Sequence, residues 1–214
     1  MKHQTLLNLL LAVALLLVSF QLIRQKQQSD PTPSNASEVV VNNILSRTSI
    51  RQFTSTPVPA SAIDTLLRAA MSAPTARNQQ PWHFVVVQDT AQISALRNTS
   101  RHGGPLSTAT LAIAVCGNLD KALEGEAQPY WIQDASAATE NLLLAAHAIG
   151  LGAVWTGVYP IQQRVDAVSE VLQLPKQIIP MAVVALGYPA EQPQPKDKWL
   201  EENISWNSFG QKKD

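Results

Sequence analysis

An α+β sandwich is the fold class this sequence predicts, and three observations carry the prediction. Short apolar runs rich in β-branched and aromatic residues, at Trp82–Val87, Thr110–Val115 and Ile178–Leu186, have the length and continuity of buried strands. Stretches with a helical apolar period precede and separate them. The resulting order, helix, helix, strand, strand, helix, strand, helix, strand, suits a sheet layered with helices, and there is no internal repeat.

Each element has its own justification. Val39, Val40, Ile44 and Leu45 recur at helical spacing and predict a short helix ending just before Arg47. Ser61-Ala62-Ile63-Asp64 resembles a capping box, opening a helix whose apolar face holds Ile63, Leu66, Leu67, Ala70 and Met71 and which Pro74 stops. Asp134–Ile149 is a run of good helix formers charged only at Asp134 and Glu140, the composition of a helix buried on most sides. Gly150-Leu151-Gly152 ends it, and Ala153–Tyr159 reads as a further strand. Ile161, Val165, Val168 and Leu172 then form one helical stripe.

Composition narrows the function. The chain has 214 residues, 45% apolar and 15% charged, with 16 basic residues against 16 acidic, so no charge excess favours nucleic acid. Its single cysteine, Cys116, ends an apolar run and reads as a buried structural thiol. One cysteine and histidines scattered at 3, 83, 102 and 147 offer no disulfide and no metal site, and His147 reads as a satisfied core histidine. A Gly-x-Gly-x-x-Gly dinucleotide motif and a Gly-x-Ser-x-Gly elbow are both missing.

Gln4 to Ile23 carries no charge, and about 20 helical residues at ~1.5 Å each cover a ~30 Å hydrocarbon core. Residues 1–24 are therefore expected to form a single-pass N-terminal transmembrane anchor, or an uncleaved signal, inserting through residues 5–23 and placing the protein at a membrane. Residues 25–37, polar and holding two prolines, read as a linker. Residues 38–209 form the expected folded domain, and 210–214 a tail.

Four constellations could carry chemistry. In an extended Arg47-Thr48-Ser49-Ile50-Arg51, alternate side chains share a face and could meet one anion. Lys196 and Lys198 form a second basic pair. The loop Ser72–Trp82 supplies the Thr75 hydroxyl and the amides of Asn78, Gln79 and Gln80, a donor–acceptor set suited to a heterocycle edge. In Gly150–Gly157 the glycines allow backbone near Thr156 to approach a planar ligand. Asp120–Trp131, with Tyr130 and Trp131, could cover a substrate face.

Together RTSIRQF, APTARNQQPWHFVVV, WIQDASAATENLLLAAHAIGLGAVWTGVYP and ALGYPAE followed by PKDKW make the chain from about Val41 to Trp206 resemble the FMN-dependent nitroreductase superfamily. The resemblance implies a three-layer α+β sandwich with a central, mostly antiparallel sheet flanked by helices, in a domain-exchanged homodimer with FMN at each of two intersubunit clefts. It implies that Arg47, Ser49 and Arg51 hold the phosphate, ribityl chain and pyrimidine edge, that Thr48 lies among them, and that Lys196 and Lys198 add phosphate contacts. Pro74, Thr75, Ala76, Asn78 and Gln80 would come from the partner subunit. Trp155, Thr156 and Gly157 would lie beside flavin N5, with His102 near the ring edge and Tyr130 and Trp131 on the substrate side. The implied activity is ping-pong hydride transfer from NAD(P)H to a nitroaromatic, quinone or similar electron-poor acceptor, with no catalytic side chain because the flavin carries the chemistry. Reductive dehalogenation of a halogenated phenol, a flavin-cleaving reaction and a non-catalytic membrane-tethered flavin-binding module stay open as alternatives.

Overall fold

The computed structural model describes residues 33–213 together with Ser19 and Gln21. The chain divides into two compact units at Ile44/Leu45. Apart from Ser19 and Gln21, the described part of the first is most of helix α1 (Pro33–Ser46). That helix ends where the spacing predicts but begins at Pro33, inside the stretch expected to be linker.

The second unit contains helices α2 (Ala60–Met71), α3 (Thr90–Asn98), α4 (Tyr130–Ala148) and α5 (Gln162–Leu172). Its strands are β1 (Trp82–Val87), β2 (Leu111–Asn118), β3 (Gly152–Gly157) and β4 (Ile178–Gly187). They form one sheet in the order β1-β2-β4-β3, antiparallel throughout. β1 and β3 are therefore its two edges.

Alternation along β2 divides the core into two layers, since successive side chains leave opposite faces of a strand. Leu111, Ile113 and Val115 pack with Leu66 and Ala70 of α2 and with Ala138 and Leu142 of α4. Ala112, Ala114 and Cys116 pack on the other face with Ile93 and Leu96 of α3 and Val165 and Val168 of α5. The α+β sandwich thus has three layers, helices above and below one sheet.

Two details depart from expectation. Helix α2 starts one residue before Ser61, behind Pro59, and has no side-chain cap, so Ser61 is inside the helix and the expected capping box does not form. Helix α3, absent from the predicted order, is capped by Asp89, whose carboxylate accepts from the Gln92 amide at 2.8 Å. Asp89-Thr90-Ala91-Gln92 is the start signal that could have revealed it.

The expected single-pass anchor over residues 5–23, and the membrane localisation drawn from it, must be corrected. No helix among the described residues is long and apolar enough to cross a membrane. Residues 1–18, 20 and 22–32 lie outside the described residues.

Candidate functional site

The segment after α1 is laid across the β3 end of the sheet. The Ile50 amide donates to the Ala153 carbonyl at 3.1 Å, Thr54 N–H to Tyr188 O at 2.8 Å, and Ala190 N–H to Gln52 O at 2.9 Å. Paired glycines make room for it. A Cβ on Gly152 would lie 2.7 Å from Ile50, and one on its register partner Gly187 would lie 3.0 Å from Phe53. The Glu191 carboxylate accepts from the Arg51 and Gln52 amides and ties the chain after β4 to the same segment.

This docking delivers Arg51 to a cavity of about 460 Å³ along β3, lined also by Arg101, His102, Gly104, Pro105, Val154, Trp155, Thr156, Gly157 and Arg164. The volume suits a small-molecule ligand. Five of the residues named from sequence meet here: Arg51, His102, Trp155, Thr156 and Gly157. Thr156 faces the cavity from a fixed position, because its hydroxyl donates to the Val183 carbonyl. Arg101 donates through Nε to His102 Nε2 at 3.1 Å, and Arg164 donates through Nη1 to the Gly157 carbonyl at 3.1 Å.

Arg101 and Arg164 were not singled out by sequence. Arg101 adjoins His102 in a short turn after α3 and reads as surface charge. Arg164 carried a usable signal. It sits in the first turn of α5, which holds no acidic residue, and a cation there opposes the helix dipole by about 0.3–1 kcal/mol. An arginine in so unfavourable a position calls for an anion nearby.

The other predicted residues lie elsewhere. Arg47 pairs through Nε with Glu140 of α4 at 3.5 Å and, like Thr48 and Ser49, is not among the cavity-lining residues. Of Arg47, Ser49 and Arg51, expected to share one face, only Arg51 lines the cavity; its Nη1 donates to the Ser49 carbonyl at 3.4 Å. Lys196 and Lys198 are exposed on the irregular chain after β4 and line no described cavity.

The loop holding Pro74, Thr75, Ala76, Asn78 and Gln80 leads into β1, the sheet edge opposite the cavity. It is a built structure. Arg77, Asn78 and Gln80 all have left-handed backbone, with φ of 52°, 56° and 50°, a strained choice for residues with a Cβ. Buried Asp134 accepts from the Ala76 amide at 2.9 Å, and Thr75 Oγ1 accepts from the Gln80 amide at 3.2 Å.

Trp131 is corrected from substrate contact to core. It is 5% exposed, packs against Gly117, where a Cβ would come within 2.2 Å of its ring, and meets Tyr159 edge-on at 5.0 Å. Tyr130, its neighbour at the start of α4, is exposed. His147 is satisfied by Ser46 Oγ at 2.9 Å, as its setting on an apolar helix predicts. Burial raises the Cys116 thiol to about 12.

With this geometry in place, comparison with known proteins defines the class. The chain belongs to the nitroreductase family, whose model matches residues 44–115 and 104–188. A protein of Methanothermobacter thermautotrophicus named as an NADH dehydrogenase/NAD(P)H nitroreductase is 42% identical over 165 residues, covering 77% of this chain and 85% of its own. A crystal structure from Bacteroides thetaiotaomicron with the same description superposes with a TM-score of 0.75 at 40% identity, covering 79% of this chain and 98% of that one. A nitroreductase from Desulfovibrio desulfuricans, solved in complex with FMN, superposes with a TM-score of 0.68 at 30% identity over 79% of this chain and 97% of its own. The protein is a nitroreductase-type oxidoreductase.

Proposed function

We propose that the protein is an FMN-dependent NAD(P)H oxidoreductase that reduces a nitroaromatic, quinone or similarly electron-poor acceptor. The observation that carries this reading is the cavity itself, in which Arg51, Arg101, Arg164 and His102 surround the glycine-ended edge of β3. The donor set fits the cofactor. A flat ring could lie against Trp155-Thr156-Gly157, where Gly157 presents no side chain, and the Arg51 guanidinium suits a ring edge that would become anionic on reduction. The flavin, held there, would supply the two-electron redox chemistry for ping-pong hydride transfer from NAD(P)H to the acceptor.

The chain's own residues bind and orient. Arg51, whose backbone amide is tied to Glu191, is assigned the pyrimidine edge, and Trp155, Thr156 and Gly157 the ring beside N5. His102 is assigned the ring margin. Arg47, Thr48, Ser49, Lys196 and Lys198 are assigned to the phosphate and ribityl chain by their match to the family motifs, with Tyr130 kept at the acceptor side. Pro74, Thr75, Ala76, Asn78 and Gln80 are assigned to a second copy of the chain, in a homodimer whose sites are shared.

The decisive test is optical. Purified protein supplied with FMN should turn yellow and hold the flavin through gel filtration, and NADH or NADPH should bleach it until a nitroarene or quinone restores the colour. A protein that stays colourless after FMN addition overturns the proposal, and colour that no nicotinamide bleaches reduces it to a flavin-binding module.

A further inference from the structure

Deepening the proposed function, on which it rests, we infer that Arg164, with Arg101, selects an acceptor bearing an anionic group, a carboxylate being the simplest, and anchors that group at the Gly157 end of β3. The cavity has cations toward both ends of this strand. Arg51 follows Ile50, whose amide is bonded to Ala153 near the start of β3, whereas Arg164 is bonded to Gly157 at its end. Four residues of strand, roughly 13 Å, separate those two points. Arg51 has a role in holding the cofactor; Arg164 has none among the contacts assigned to it.

The charge at the Gly157 end is unbalanced. The lining contains Arg51, Arg101 and Arg164 but no Asp or Glu. Arg164 projects from the first turn of α5, whose dipole adds positive potential of its own, and that turn contains no acid to offset it. Its bond to the Gly157 carbonyl engages Nη1 and orients the guanidinium plane, which has five N–H donors in all. An anion set against the remaining donors gains charge-assisted hydrogen bonds and relieves the repulsion among the cations. A neutral acceptor of the same shape gains neither.

For a nitrobenzoate the reaction balances as follows. One NAD(P)H gives a hydride, two electrons and a proton, and becomes NAD(P)+; with a second proton from solvent the nitro group is reduced to nitroso as one N–O bond breaks and its oxygen leaves as water. The carboxylate takes no part in the chemistry and serves only as the handle. Arg164 is thus a specificity residue.

The test compares 4-nitrobenzoate with 4-nitrobenzyl alcohol on the full-length, FMN-loaded protein with NADPH. The expected ratio of kcat/KM is about tenfold or more in favour of the carboxylate at low salt, the order of discrimination one charge-assisted hydrogen bond provides. Rising salt should erode that ratio. Arg164→Gln should bring it to near one with flavin content retained, and Arg164→Lys should preserve a preference by keeping the charge. A ratio near one in the unaltered enzyme overturns the inference while leaving the oxidoreductase reading intact. So does an unchanged ratio in Arg164→Gln, and so does loss of FMN from that variant, which would return Arg164 to the cofactor. A protein that never takes up FMN overturns both.

Discussion

Cys116 shows how placement decides what a single residue can do. On β2 it faces the layer of Ile93, Val165 and Val168, so the thiolate has neither water nor a cation beside it. Burial therefore lifts its pKa from 9.0 to about 12. The folded state keeps the proton where the unfolded chain has lost it, so the stabilisation is complete below pH 9 and falls away as pH rises from 9 towards 12. Over that window the thiol should lower the unfolding free energy by about 1.4 kcal/mol per pH unit. Urea titrations of the protein and of Cys116→Ala should differ in slope by that amount above pH 9 and agree in slope below it. The native thiol should also resist alkylation at pH 8; labelling at the rate of a free thiol would refute its burial. Trp131 makes the complementary point. Nothing near it in sequence shows that it is core, because the space this helical residue fills is left by Gly117 on strand β2.

At the scale of elements, the loop into β1 depends on helix α4. Three left-handed residues among Arg77, Asn78 and Gln80 are held at a cost of order 1 kcal/mol or more each, and the surrounding bonds must offset that strain. Asp134 supplies the buried one, to the Ala76 amide. Asp134→Ala should therefore destabilise the fold by about 1–3 kcal/mol by leaving that amide unpaired. Hydrogen exchange at Ala76 should accelerate with it, while Asp134→Asn, which keeps an acceptor oxygen, should exchange slowly. Equal protection of Ala76 in all three proteins would show that the loop holds itself. The sequence announced this loop by its polar density but not its anchor, since an aspartate on an apolar helix has no local mark of its partner. The strands were legible for the opposite reason: burial on both faces demands the continuous apolar runs of β2 and β4, and β1, an edge strand with His83 and Val86 exposed, shows in its aromatic and β-branched content. Helix α3 was missed because only Ile93 and Leu96 of its residues are buried, too few to establish a period. At the cavity, Thr156 and Gly157 were readable from their glycine-flanked strand. Arg101 was not, because a lone arginine on a turn looks like solvated surface until the fold shows what it faces, and Arg164 was marked only by its place in an acid-free first helical turn.

At the scale of the whole molecule, the layout of the sheet bears on assembly. The cavity runs along β3 and the strained loop enters β1, and these are the two outer strands of the order β1-β2-β4-β3. With strands about 4.8 Å apart, three spacings separate the edges by roughly 14 Å, and the packed sheet lies between them. If both features contact one flavin, as proposed, the loop must come from a second chain, and two-fold symmetry then makes two equivalent sites. Complementation between two defective chains tests this directly. Arg51→Ala removes a cavity contact and keeps the loop. Asn78→Gly removes a loop side chain and keeps the cavity, glycine being chosen because φ at this position is 56°. Each variant alone should retain flavin poorly. Co-expressed at equal levels, random pairing makes half the dimers mixed, and each mixed dimer joins the intact cavity of one chain to the intact loop of the other. About a quarter of the wild-type sites should then return, both as bound flavin and as NAD(P)H-dependent turnover, in a species of twice the chain mass. Sites built within one chain would show no recovery on mixing, and a monomer that retains flavin would refute the shared site outright.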